Sequence, residues 1–198
     1  MTRTAFLVAA VLVLAGCSKP PLTSETAARV IRESARFREP GFVGVAREEA
    51  PSDCKTKLDD DADWRALAKT GWLELHDEED FERGTEGRAT VKCAGALSGD
   101  GLRAGVSVNT NTYHEWRVPA AVRELAAIQS ITSTENGIST VQFTYRWRLN
   151  AFGSQVLESG PELDGAGALR LLDDGWHVAD FTALPEFSPV RQGRLSPQ

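Results

Sequence analysis

Apolar positions fall into distinct rhythms along this chain. Ala5 to Ala15 is an unbroken apolar run. Beyond it, Ala27, Ala28, Val30, Ile31, Ala35 and Phe37 recur at helical spacing. Thr23 stands ahead of them as an N-cap with Glu25 in the first turn, and Pro40-Gly41 predicts a stop after Arg38. A second helix is predicted from Asp61 or Asp63, carrying Trp64, Leu67 and Ala68 up to Gly71 as its C′ residue. Trp72-Leu73-Glu74-Leu75 then opens an extended segment. Segments 88–93 and 102–109 are strand-like, and Ser98-Gly99-Asp100-Gly101 between them has the turn chemistry of a hairpin. Pro119 suits the first turn of a short helix reaching Ile128, with Val122, Leu125 and Ile128 on one face. The clearest rhythm follows: Val141, Phe143, Tyr145, Trp147 and Leu149 alternate with polar residues, the signature of an antiparallel strand buried on one face. Glu135-Asn136-Gly137 precedes that strand as a turn, and Asp173-Asp174-Gly175 predicts a hairpin between 168–172 and 176–181.

These elements predict an α+β fold in which N-terminal helices pack with antiparallel hairpins. The closing order of strand, hairpin and the run Asp174-Gly175-Trp176-His177-Val178-Ala179-Asp180-Phe181 resembles the end of cystatin-like or NTF2-like domains. That resemblance covers about the last third and implies a curved sheet wrapped around a helix, often used as a binding scaffold. The compact region runs over 23–184, either as one domain or as two small ones near 23–112 and 113–184. Residues 185–198 are rich in proline and polar side chains and are expected to form a loose tail.

The N-terminal run has a different meaning. It follows the basic start Met1-Thr2-Arg3 and is too short to span a bilayer, which takes about 20 apolar residues, but it suits the h-region of a signal peptide. Directly behind it, Leu14-Ala15-Gly16-Cys17 resembles the lipobox of bacterial lipoproteins. The resemblance covers this segment alone. It implies cleavage of residues 1–16, a diacylglycerol on the Cys17 thiol, acylation of the new amino group, and a lipidated tether over 17–22. Two or more acyl chains hold a protein stably in a membrane where one does not. In that family a residue other than Asp after the cysteine permits export to the outer membrane, so Ser18 implies an outer-membrane protein facing the periplasm.

Composition narrows the partners. The chain has 198 residues with 22 Lys+Arg against 28 Asp+Glu, a net charge of -6. Such an acidic balance, with no basic block, lacks the electrostatic footprint of a nucleic-acid binder and gives no charge-driven hold on an anionic leaflet. With Cys17 assigned to lipid, Cys54 and Cys93 remain. Export favours a disulfide between them, and a pair of unbonded thiols is the alternative.

Linear motifs for catalysis fail on context. Ser52-Asp53-Cys54-Lys55 and Lys69-Thr70-Gly71 match the S-x-x-K and K-T-G elements of penicillin-binding enzymes, but they lie too close together and without an S-D-N element. Gly99 to Ala104 matches G-x-G-x-x-A in what is expected to be a turn. Asp59, Asp61 and Asp63 take the first positions of a calcium loop whose later glycine and glutamate are missing. His76-Asp77-Glu78-Glu79-Asp80 is expected as a solvated acidic loop, and His114-Glu115 lacks the second histidine of a zinc motif. No cofactor or metal is implied. Arg146 and Arg148 share one strand face and suit an anionic ligand; His177, in the last strand, is the third candidate for ligand binding.

Three functions remain open from the residues. The first is a non-enzymatic binding or assembly module offering its sheet to an envelope protein. The second is a pocket for a small apolar or anionic ligand on a curved cystatin/NTF2-like sheet. The third, an envelope hydrolase, lacks an assembled nucleophile and base.

Overall fold

The computed structural model describes residues 21–47, 52–81, 89–111, 114–133 and 137–192. Cys17 and residues 18–20 of the lipidated tether lie outside them. In chain order the elements are α1 (Ser24–Glu33), α2 (Ala35–Arg38), β1 (Gly41–Ala46), α3 (Cys54–Asp60), α4 (Ala62–Lys69), β2 (Leu73–Phe81) and β3 (Ala89–Leu97). They continue with α5 (Gly99–Arg103), β4 (Ser107–Val108), β5 (Glu115–Ser133), β6 (Ile138–Leu149), α6 (Gly153–Val156), β7 (Leu163–Leu172) and β8 (Gly175–Ala183). The fold is α+β with a strongly curled antiparallel sheet. Its strand order is β1-β5-β6-β7-β8, with β4 pairing to β5, while β2 and β3 form a separate hairpin.

Local chemistry sets the helices. Thr23 caps α1 by accepting from the Thr26 amide, and Gly71 follows the Thr70 C-cap with φ of 72°, as its C′ position requires. The helix expected through Arg38 is two helices. Ser34 takes an extended conformation, donates its hydroxyl to the Ile31 carbonyl at 2.8 Å and accepts from the Phe37 amide at 3.4 Å. It thereby ends one helix and caps the next. The break delivers Phe37 edge-on to Phe143 and Tyr145 at ring separations of 6.1 and 6.0 Å.

Three further expectations are corrected. Segment 119–128 is the interior of β5, not a helix. Bulges between Leu125 and Ala127 and between Ile128 and Ser130 each insert one extra residue, so Leu125, Ile128 and Ile131 reach one face at three-residue spacing, while Val122, expected on that face, pairs with Arg148 on the other and is exposed. That spacing imitates a helix. Pro119 sits opposite Phe42, beside the register shift at Gly41/Phe42, where a strand tolerates a missing N–H. Ser98-Gly99-Asp100-Gly101 starts α5: the Ser98 hydroxyl accepts from the Gly101 amide at 3.0 Å and donates to the Gly71 carbonyl at 2.6 Å. Consequently 102–109 is strand only at Ser107–Val108, and β3 pairs with β2 instead. The Asp173-Asp174-Gly175 turn stands as expected, with Gly175 at φ 126° between β7 and β8. Of the Glu135-Asn136-Gly137 turn, the first two residues lie outside the described ones and Gly137 has φ 70°.

Two cores lie against opposite faces of β5. On one, Trp116, Val118 and Ala120 pack with Val43 and Val45 of β1, Trp64 and Leu67 of α4, and Cys93 of β3. Trp64 is fully buried and donates its indole N–H to the Ala46 carbonyl at 2.8 Å. Cys54 at the start of α3 is bonded to Cys93, Cα to Cα 4.5 Å, tying the β2-β3 hairpin to the helices. On the other face, Ala121 and Leu125 join Val141, Phe143, Tyr145, Leu169 and Phe181 around Ala27, Val30 and Ile31 of α1. Leu149 and Phe187 pack against both cores.

Candidate binding cleft

The segment expected as a loose tail is docked from Pro185 to Gln192. Its proline-rich composition hides a series of backbone and side-chain attachments. Tyr145 donates its phenol O–H to the Pro185 carbonyl at 2.9 Å, and the Phe187 ring lies 5.0 Å from that of Trp147. Gly41 makes that seat possible, because a Cβ there would stand 2.4 Å from the Phe187 ring. Further on, the Glu158 amide donates to the Val190 carbonyl at 2.9 Å and the Gln192 amide to the Val156 carbonyl at 3.0 Å. Arg191 forms an ion pair with Asp63 and donates to the Gly44 carbonyl at 3.0 Å. The result is a strap laid across the end of the sheet.

Between strap and sheet lies a cleft of about 460 Å³. Its walls are mainly hydrocarbon: Trp147 and Leu149 from β6, Leu163 from β7, Pro161 from the preceding loop, and Phe187 and Val190 from the strap. Glu158 and Glu186 are its acidic members. A volume of this order, apolar walls and few polar groups are the usual make-up of a small-molecule site. Trp147 is 8% exposed, and its indole Nε1 is buried with no hydrogen-bond partner. The Arg123 guanidinium stacks 4.2 Å from the same ring while donating to the Arg36 and Glu39 carbonyls at 2.8 and 3.2 Å. Burial pushes the Tyr145 phenol above its ordinary pKa and lowers that of Arg123.

A second groove, about 440 Å³, adjoins the first along Trp147, Leu149 and the Glu158–Gly160 loop, and holds Arg146 and Arg148. Alternation along β6 puts both arginines on the face opposite Tyr145. Arg146 is neutralised by Glu124 across the strand pair, N to O 2.9 Å. Arg148 has neither ion pair nor hydrogen bond among the described residues. His177 does not join them. It pairs with Asp174 at 2.8 Å and sits opposite Arg170, which faces Ile138 at the far end of β6. Of the three ligand-binding candidates, the two arginines share a groove and the histidine is remote. The strap residues escaped sequence reasoning; the signal that pointed to them was one large aromatic, Phe187, between Pro185 and Pro189 in an otherwise polar tail.

The remaining motifs disperse. Ser52 lies in a bend before α3, and Lys55 is exposed and paired with Asp59 at 2.8 Å. Gly99 to Arg103 opens a helix after all, correcting the expected turn. Ser98 already occupies the Gly101 amide, and a Cβ at Gly101 would stand 2.4 Å from the Trp72 carbonyl, so that glycine serves a close backbone approach. Asp59 turns to Lys55, Asp61 caps α4 and pairs with Lys57, and Asp63 pairs with Arg191. The larger cavity beside them, about 720 Å³, is therefore lined by carboxylates that mostly have partners. His76 to Asp80 is part of β2, not a loop. His76 pairs with Glu78 on one face, while Asp77 on the other accepts from the Cys54 amide at 2.8 Å. Cys54, Asp77 and Cys93 gather ligand-type atoms, but both sulfurs are committed to the disulfide. No helix among the described residues is long and apolar enough to cross a membrane.

No family model, curated protein or solved structure matches this chain.

Proposed function

We propose that this chain is an exported lipoprotein, held in the outer membrane by an acylated Cys17 and facing the periplasm, where it acts as a non-enzymatic binding module. The observation that carries the anchoring is Leu14-Ala15-Gly16-Cys17 directly behind an apolar run of signal-peptide length. The Cys54–Cys93 disulfide supports export, because such bonds persist in oxidising compartments. Growth with labelled palmitate tests it: the wild-type chain takes up label on the peptide beginning at Cys17 and Cys17→Ala takes up none. An unlabelled wild type, or a labelled variant, overturns the anchor.

Within that reading, two observations support a small ligand over a flat face presented to an envelope protein. The cleft under the strap is walled mainly by hydrocarbon. The exposed large apolar residues Val91, Leu102, Val122 and Leu172 are instead scattered over β3, α5, β5 and β7. The sheet face toward α1, where a cystatin-like scaffold would put its ligand, is filled by Ile31, Phe37 and their neighbours. Binding then belongs at the end of the sheet.

A further inference from the structure

Resting on the membrane-anchored reading, we propose that the cleft takes a single-chain amphiphile with a monoanionic carboxylate head, a free fatty acid drawn from the adjoining bilayer. The chain lies against Leu149, Leu163, Phe187 and Val190, and the head reaches past Leu149 into the adjoining groove, at Arg148.

Three features converge on that chemistry. Walls that are mainly apolar reward a hydrocarbon chain and give a polar peptide few groups to bond. Trp147 and Leu149 border both grooves, so a molecule lying in the cleft continues into the groove that holds Arg148. Charge completes the match. Arg146 is already neutralised by Glu124, which leaves Arg148 as the cation for a head group. Glu158 on the edge shared by the grooves and Glu186 in the cleft oppose added negative charge, so a monoanionic carboxylate held at Arg148 suits the site better than a phosphate dianion. A molecule tethered to a bilayer meets such amphiphiles at high local concentration.

Membranes carrying the full-length chain are equilibrated with palmitate bearing a diazirine in its chain, irradiated and digested, and the adducts are mapped by mass spectrometry. Adducts are expected on the segments holding Trp147 to Leu149, Leu163 and Phe187 to Val190. Val190 is an exposed strap residue, so Val190→Glu folds; its carboxylate against the chain cuts labelling about tenfold. Arg148→Glu cuts labelling by the palmitate probe and leaves that by the matching diazirine alcohol unchanged. Adducts confined to other segments, or undiminished in Val190→Glu, overturn the site. Equal labelling of the wild type by acid and alcohol overturns the head-group assignment. The mass of the Cys17 peptide in the same digest reports the anchor separately, so loss of the ligand and loss of the lipoprotein reading are told apart.

Discussion

At the scale of single residues, Arg123 joins a helix end to the sheet. Its guanidinium gathers the carbonyls that α2 leaves open at its C-terminal end and lies on Trp147, so one cation fastens the second helix to the sheet. Burial disfavours its charge, but the carbonyls around it need a donor. Arg123→Ala is expected to lower stability by about 2 kcal/mol, read as a lower urea midpoint with unchanged slope. Asp53 works at the opposite end of a helix. It caps α3 by accepting from the Thr56 amide at 2.7 Å, and that hydrogen bond holds its pKa below the ordinary aspartate value. A carboxylate whose folded pKa is depressed contributes stability above its unfolded pKa and loses it as pH falls through the folded value. Acid titration of urea midpoints is therefore expected to show a loss below the ordinary aspartate range that is smaller in Asp53→Asn. An identical acid slope in both proteins would contradict the assignment.

Among the elements, β5 shows what a sequence rhythm can and cannot convey. The alternation in β6 was legible because every second residue meets the same core and no bulge intervenes before Leu149. In β5 the bulges delete that alternation and write a three-residue spacing into Leu125, Ile128 and Ile131, so a purely periodic reading chooses the wrong element. The information that would separate the two, pairing with β6, is not local. Caps are local, which is why Thr23, Gly71 and the Asp173–Gly175 turn were found from the sequence. The cleft was half legible. Arg146 and Arg148 follow from strand parity, whereas Trp147 looked like core alone because its neighbour Phe187 lay in a segment read as tail. Close approach between elements gives a further test. A Cβ at Gly165 of β7 would stand 2.3 Å from the Phe143 ring, so Gly165→Ala must displace an aromatic in a filled core. An overpacking loss of about 1–3 kcal/mol is expected, visible as a lower thermal midpoint.

For the whole molecule, the Cys54–Cys93 bond closes a loop of 39 residues that spans α3, α4 and the β2-β3 hairpin. Chain-entropy arguments put such a closure at about 4 kcal/mol. The double variant Cys54→Ser/Cys93→Ser is expected to lose stability on that scale; denaturant unfolding of oxidised and reduced protein measures it. The pairing was legible because arithmetic left two cysteines once the first was given to lipid.

The passage of β5 between the two interiors has a mechanical corollary. A strand that turns one side to the first interior near Ala120 and the opposite side to the second from Ala121 cannot leave either while keeping its place in the other. Its amides between Trp116 and Leu125 should then exchange with deuterium only when everything opens together. Calorimetry should record a single melting peak from a body that has two hearts and one spine.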